Sequence, residues 1–144
     1  MDDATREGLL RLTTATVSMQ LLKRGIRNVY VAGAMPLGAD APNLVGEAYT
    51  LRFVPWREDR STPEVLGAAD YPPRRAIEDA PPGSVLVIDG RGLSEVAVMG
   101  DLLAARLVVR GVAGVVTDGG IRDADEVRAT GLAVYAAGPA APAH

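Results

Sequence analysis

Gly111-Val112-Ala113-Gly114-Val115-Val116-Thr117-Asp118-Gly119-Gly120-Ile121-Arg122-Asp123 is the stretch whose reading decides the fold. Val112 to Thr117 is an apolar, β-branched run between turn residues, which predicts a buried strand. Asp118-Gly119-Gly120 then predicts a loop leaving that strand's carboxyl end. Just upstream, Asp101 to Arg110 predicts the best helix of the chain. Leu102, Leu103, Ala105 and Leu107 give it a broad apolar face, and Gly111 ends it.

Outward from there the alternation continues. Ser84-Val85-Leu86-Val87-Ile88-Asp89-Gly90 is a second continuous apolar strand, followed by a loop over Arg91 to Glu95 and an apolar approach, Val96 to Met99. Asp123 or Asp125 opens a short helix that ends at Gly131, and Leu132 to Tyr135 is a further strand. Strand, helix, strand, helix, strand with short connections implies an α/β layered domain with parallel strand pairs.

The N-terminal half is less regular. Two short helices are expected, the first capped by Asp2 or Asp3 and the second by a threonine and stopped at Gly25. Val29 to Ala32 is expected as a short strand, Gly33 to Asn43 as loop, and Val45 to Val54 as a longer, half-buried strand. Pro55 to Tyr71 lacks periodicity and predicts a long surface loop. Pro72 to Ala80 starts with prolines suited to a first helical turn, and Gly138 to His144 is expected as an irregular tail. No internal repeat or heptad pattern is visible, and residues 1–144 are expected to form one domain.

Composition narrows the chemistry. Nearly half of the residues are apolar, but one Trp, one Phe and four Tyr leave an aliphatic core. A net charge of −3 with scattered arginines argues against direct nucleic-acid binding. There is no Cys, which removes disulfides, thiolate zinc sites and thiol nucleophiles, and the single His is the last residue, His144. Acid–base work therefore falls to Asp, Glu, Arg, Tyr or water on a metal. The acidic N-terminus has no signal-peptide pattern, and no apolar run reaches the ~20 residues that span a bilayer. The expectation is a soluble, cytoplasmic protein without membrane contact.

Ligands of open α/β sheets bind beyond the carboxyl ends of strands. Two loops leave such ends, Asp89-Gly90-Arg91-Gly92 and Asp118 to Asp123. The paired glycines have neither phosphate-loop nor dinucleotide spacing. The start of the Asp101–Arg110 helix offers free N–H groups for a carboxylate. Arg122 supplies a permanently charged fork for a carbonyl oxygen or an enolate. Asp123 and Asp101 can anchor Mg²⁺ or Mn²⁺, directly or through water. Structural roles stand beside each of these. Asp101 can cap its own helix, and Asp123 the next one with Glu126 closing a capping box. Arg122–Asp123 can be a surface pair worth only ~0–1 kcal/mol, and Asp89 and Asp118 can be turn residues.

Gly100-Asp101-Leu102-Leu103-Ala104, followed by Arg110 through Asp123, resembles the RraA-like family, which includes regulators of ribonuclease E activity and class II 4-hydroxy-4-methyl-2-oxoglutarate aldolases. The family pattern is an Asp, twenty residues, Arg-Asp, two residues and an acid, and Asp101, Arg122, Asp123 and Glu126 meet it. Thr14 to Ser18 and Leu44 to Leu51 are similar to the family as well. The resemblance implies a three-layer β/β/α swivelling domain assembled as a homotrimer or hexamer. It implies Asp123 as metal ligand, Asp101 as holder of metal-bound water and Glu126 in an outer shell. It further implies Arg122 on the pyruvyl carbonyl oxygen, with backbone N–H groups around Gly100, Leu102 and Leu103 on the pyruvate carboxylate. The implied activity is divalent-metal-dependent retro-aldol cleavage of 4-hydroxy-2-oxo acids to pyruvate and an oxo acid, with oxaloacetate decarboxylation as a side reaction. The alternative it implies is a non-catalytic protein that binds and inhibits a ribonuclease. Against the family pattern the chain is expected to lack a C-terminal segment, which in the aldolases supplies an acid to a neighbouring subunit's metal shell.

Overall fold

The computed structural model describes residues 1–39 and 41–142; Ala143 and His144 of the expected tail lie outside the described residues. The first two helices are α1 (Asp3–Leu10) and α2 (Thr14–Lys23). Asp2 accepts from the Thr5 N–H at 2.8 Å and Thr13 from the Thr16 N–H at 3.2 Å, so both are capped by side-chain oxygens as their sequences predict. Neither helix contains a buried residue.

The expected strand at Val29–Ala32 does not form. That stretch carries no ladder, and Tyr30 and Val31 are 65% and 53% exposed. The chain instead enters the sheet a few residues later, as β1 (Met35–Pro36), which the sequence reading placed in a loop. An apolar β-branched run becomes a strand only where an edge is free to receive it, and here the edge of the next strand in line takes Met35 and Pro36.

β2 (Ala48–Arg52) lies inside the expected strand. The segment after it contains α3 (Pro63–Gly67), a short helix in what reads as loop, with Thr62 capping the Val65 N–H and Pro63 in its first turn. Then follow α4 (Pro72–Asp79), β3 (Val85–Asp89), β4 (Ala97–Met99), α5 (Asp101–Val109), β5 (Gly114–Thr117), β6 (Gly120–Ile121), α6 (Ala124–Ala129), β7 (Ala133–Ala136) and β8 (Gly138–Pro139). Gly111, at φ 72°, takes the left-handed conformation that closes α5.

The strands form two sheets. A five-stranded sheet runs β1-β7-β5-β3-β2, parallel except for β1, and a three-stranded parallel sheet runs β4-β6-β8. Structure supplies the recurrence that the sequence hides. β3-β4-α5, β5-β6-α6 and β7-β8 each pass from the large sheet to the small one, and the first two then enter a helix. α5 packs against both α4 and α6. The result is the expected mixed α/β architecture of two sheet layers and a helix layer.

The core is aliphatic, as the composition demands. Leu86, Leu107, Val115, Ile121, Val127 and Val134 are its largest fully buried apolar side chains, and Phe53 is its one aromatic. Leu86 and Ile88 of β3, Val115 of β5 and Val134 of β7 all belong to that core, whereas Val87, Val116 and Tyr135 of the same strands are only half-buried. Among the described residues no helix is long and apolar enough to cross a membrane.

Candidate functional site

The small sheet builds the site. β4 and β6 are parallel neighbours, and the Arg122 N–H continues their ladder by donating to the Met99 carbonyl at 3.1 Å. Met99 is followed by Gly100 and the start of α5, so the ladder sets Arg122 and Asp123 against the N-terminus of that helix. A Cβ on Gly100 would stand 2.7 Å from Oδ2 of Asp123, 2.8 Å from Nε of Arg122 and 2.9 Å from its Cγ. Gly100 has an extended backbone (φ −137°, ψ −167°), so its requirement is space and not conformational freedom.

The capping roles open to Asp101 and Asp123 are not taken up. Gly100 is the N-cap of α5 and makes no side-chain cap bond, and Asp101 sits in the first turn. The first intrahelical bond is from the Ala104 N–H to the Gly100 carbonyl at 3.1 Å, which leaves the N–H groups of Asp101, Leu102 and Leu103 without intrahelical acceptors. Asp123 occupies the N-cap position of α6 in the left-handed region (φ 52°, ψ 44°), again without a side-chain cap bond. Its carboxylate meets Arg122 Nε at 3.4 Å with both side chains nearly half exposed. Asn28 and Arg91 share this left-handed region, which Asp and Asn tolerate better than most residues.

Arg122, Gly100, Asp101, Leu102 and Leu103 line part of a cleft of about 310 Å³, together with Ala97, Val98 and Met99. Phe53, Leu66, Tyr71, Pro73 and Arg74 line the rest of the same cleft. These residues come from the end of β2, from α3 and from the start of α4. Sequence reasoning missed them because no motif spacing marks them. One signal was present, an arginine in the first turn of a helix, where the macrodipole disfavours a cation.

Of the four-residue pattern, Asp101 and Arg122 line the cleft, whereas Asp123 and Glu126 are both exposed and neither is among the cleft-lining residues. Asp123 reaches the site through its contact with Arg122 and its approach to Gly100. Among the described residues no three acidic or His side chains converge closely enough to hold a metal ion. Asp101 and Asp123 remain as two carboxylates free of cap bonds beside helix N–H donors. Mg²⁺ and Mn²⁺ are commonly held by one or two carboxylates with the remaining positions filled by water, so this donor set fits such an ion.

The other strand-end loop is structural. Asp118 accepts the Gly90 N–H at 2.6 Å on one oxygen and the Gly92 N–H at 2.8 Å on the other, tying the loop after β5 to the loop after β3. Asp89 accepts the Arg91 N–H at 2.9 Å and Arg52 Nε at 2.6 Å, and these bonds hold its carboxyl below its usual range.

A family model described as RraA-like, aldolase/RraA, matches residues 14–143. The chain belongs to the RraA-like family. Protein DlpA of Legionella pneumophila is 35% identical over 95 residues, covering 66% of this chain and 14% of DlpA. A Hahella chejuensis protein named "Putative 4-hydroxy-4-methyl-2-oxoglutarate aldolase" is 37% identical over 65 residues, 45% of this chain and 40% of that protein. The chain therefore spans less than half the length of either curated relative. The crystal structure of Streptomyces coelicolor RraAS2, an unusual member of the RNase ES inhibitor RraA family, superposes with a TM-score of 0.80 at 35% identity. It covers 99% of this chain and 67% of that one. Relatives of the chain thus include proteins whose names read putative aldolase and a member of a ribonuclease-inhibitor family, and the fold is shared with the latter.

Proposed function

We propose that residues 1–144 act as one RraA-like domain that catalyses divalent-metal-dependent cleavage of 4-hydroxy-2-oxo acids to pyruvate and a second oxo acid. Oxaloacetate decarboxylation is the expected side activity. The observation that carries this reading is the convergence at Gly100. A glycine shaved to admit Arg122 and Asp123, three helix N–H groups without acceptors and a small cleft together suit a 2-oxo carboxylate.

In this reading the N–H groups of Leu102 and Leu103 hold the substrate carboxylate, and Arg122 holds the neighbouring carbonyl oxygen. The C4 hydroxyl gives up its proton to water held by Asp101. The C3–C4 bond then breaks, leaving the electron pair on the pyruvyl fragment as an enolate, which is protonated at C3. Arg122 stabilises charge that appears only as the bond breaks, the condition for raising kcat. A divalent cation bound at Asp123, with Asp101 reached through water, would act as a Lewis acid on the same oxygen atoms. Glu126 is left an outer-shell role.

Pyruvate release from 4-hydroxy-4-methyl-2-oxoglutarate or oxaloacetate, with and without Mg²⁺ or Mn²⁺, tests the reading. Turnover that ignores the metal, or that survives Arg122→Ala and Asp123→Ala, sinks it. In the same reading the protein acts in the cytoplasm as a homotrimer or hexamer. The uncovered apolar residues of its N-terminal arm support the assembly.

A second reading, restraint of a ribonuclease by direct binding, is favoured by the likeness to RraAS2 along 99% of the chain. Inhibition of RNase E-type cleavage by this protein in a purified assay, with no lyase turnover, would replace the first reading by the second.

A further inference from the structure

Among the residues that the end of β2, α3 and the start of α4 bring to the cleft shared with Arg122, one is charged, Arg74. The other charged residues of α4 are engaged. Arg75 reaches Asp79 at 3.7 Å, and Glu78 holds Arg106 through two bonds of 2.7 Å. Arg74 has no ion pair within 4 Å among the described residues. It also sits at the third helical position of α4, whose N-terminus favours negative charge, so its placement works against the local field. Pro72 and Pro73 precede it and lack N–H groups, which leaves the guanidinium as the main anion-binding donor at this helix end. Arg74 is thus an exposed cation that lines the cleft against the helix dipole and has no ion-pair partner among the described residues, which leaves its guanidinium free to meet an anionic group entering the cleft.

Tyr71 stands beside it as the N-cap residue of α4, making no side-chain cap bond. Tyr71 lines the same cleft, and its hydroxyl, protonated at neutral pH as in any tyrosine and pushed further that way by partial burial, is a hydrogen-bond donor there. Phe53 and Leu66 add apolar surface to the lining.

We propose that Arg74 and the Tyr71 hydroxyl hold a second carboxylate at the far end of the substrate, so that the cleft selects dianionic over monoanionic 4-hydroxy-2-oxo acids. This rests on the lyase reading, with the first carboxylate at the start of α5. Arg74 is then a specificity-determining residue, separate from the bond-breaking machinery around Arg122. A site built to pair a charged group discriminates strongly against an analogue that lacks it, because its own donors are left without a partner.

The test compares 4-hydroxy-4-methyl-2-oxoglutarate with 4-hydroxy-2-oxopentanoate, which ends in a methyl group where the first has a carboxylate. Wild-type kcat/KM should favour the dianion. Arg74→Ala should lower kcat/KM for the dianion about 10- to 100-fold and change that for the monoanion less than about threefold. Arg74→Lys should restore part of the loss. Equal losses on both substrates, or no effect on either, overturn the proposal. Binding of oxaloacetate against pyruvate, read by calorimetry with Mg²⁺ present, separates this inference from the lyase reading. If no substrate is turned over but a preference for the dianion is abolished by Arg74→Ala, the lyase reading falls and the carboxylate subsite stands. If turnover is robust and Arg74→Ala leaves the preference intact, the subsite falls alone.

Discussion

Gly100 and Asp123 approach so closely that one added carbon on the glycine would lie 2.7 Å from the aspartate's Oδ2. Because Gly100 is extended, Gly100→Ala introduces no backbone strain, only contact with Asp123 and Arg122. The variant is expected to fold with a stability change within about 1 kcal/mol. Displacing those two side chains should lower kcat/KM, by about 100-fold for a shift approaching about 1 Å. Thermal unfolding and pyruvate release, measured on the same preparation, check both halves. Full activity in Gly100→Ala would detach the site from the Gly100 contact.

Asp123 is best probed with Asn. Its left-handed backbone (φ 52°) is tolerated by Asn and Asp but strained for Ala, by roughly 1 kcal/mol. Asp123→Asn should therefore leave the melting temperature nearly unchanged. It should reduce turnover about 100- to 1000-fold and raise the Mg²⁺ concentration needed for half-maximal rate. Asp123→Ala should lose stability in addition. A variant pair with equal stability would show that the backbone conformation relaxes freely.

Asp118 offers the contrasting case of a strand-end acid with a structural task. Its two oxygens clamp Gly90 and Gly92, and Asp118→Ala leaves two N–H groups to find other partners. Loss of about 2 kcal/mol in urea unfolding is expected, with the unfolding m-value unchanged.

Asp89 gives stability a pH dependence. The Arg91 N–H and then Arg52 hold its carboxyl below the ordinary value of 3.8. A depressed folded-state pKa stabilises the fold above that ordinary value, and the contribution is lost as pH falls through the folded-state pKa. Asp89→Asn should therefore melt below wild type at pH 7, with the gap narrowing on acidification below about pH 4. A gap that stays constant from neutral to strongly acidic pH would show that the ion pair, exposed as it is, contributes nothing to the linkage.

What the sequence made legible follows from where each element's hydrogen bonds and packing come from. β3, β5 and β7 are strands buried on the core side, so their apolar runs are readable locally, and α5 carries its own stop at Gly111. β1, β6 and β8 are two residues each and exist only through pairing with distant segments, which leaves no periodic trace. Val29–Ala32 shows the converse, a strand-like composition with no ladder. Asp101, Arg122 and Asp123 were readable because their spacing is fixed by the β4–α5–β5–β6 path. Arg74 and Tyr71 were not, since only the packing of α4 brings them to the cleft.

The N-terminal arm yields the last prediction. α1 and α2 bury no residue, and Leu12, Met19, Leu22, Ile26, Tyr30 and Met35 are each at least 44% exposed. So many exposed large apolar side chains within one segment favour association. Leu22→Glu combined with Met19→Glu should therefore lower the mass measured by light scattering from that of an oligomer toward that of a single 15.0 kDa chain. Neither residue contributes to the core, so far-UV circular dichroism should stay close to wild type. If the double variant keeps the wild-type mass, the arm is not the assembly surface, and its apolar residues face a different partner.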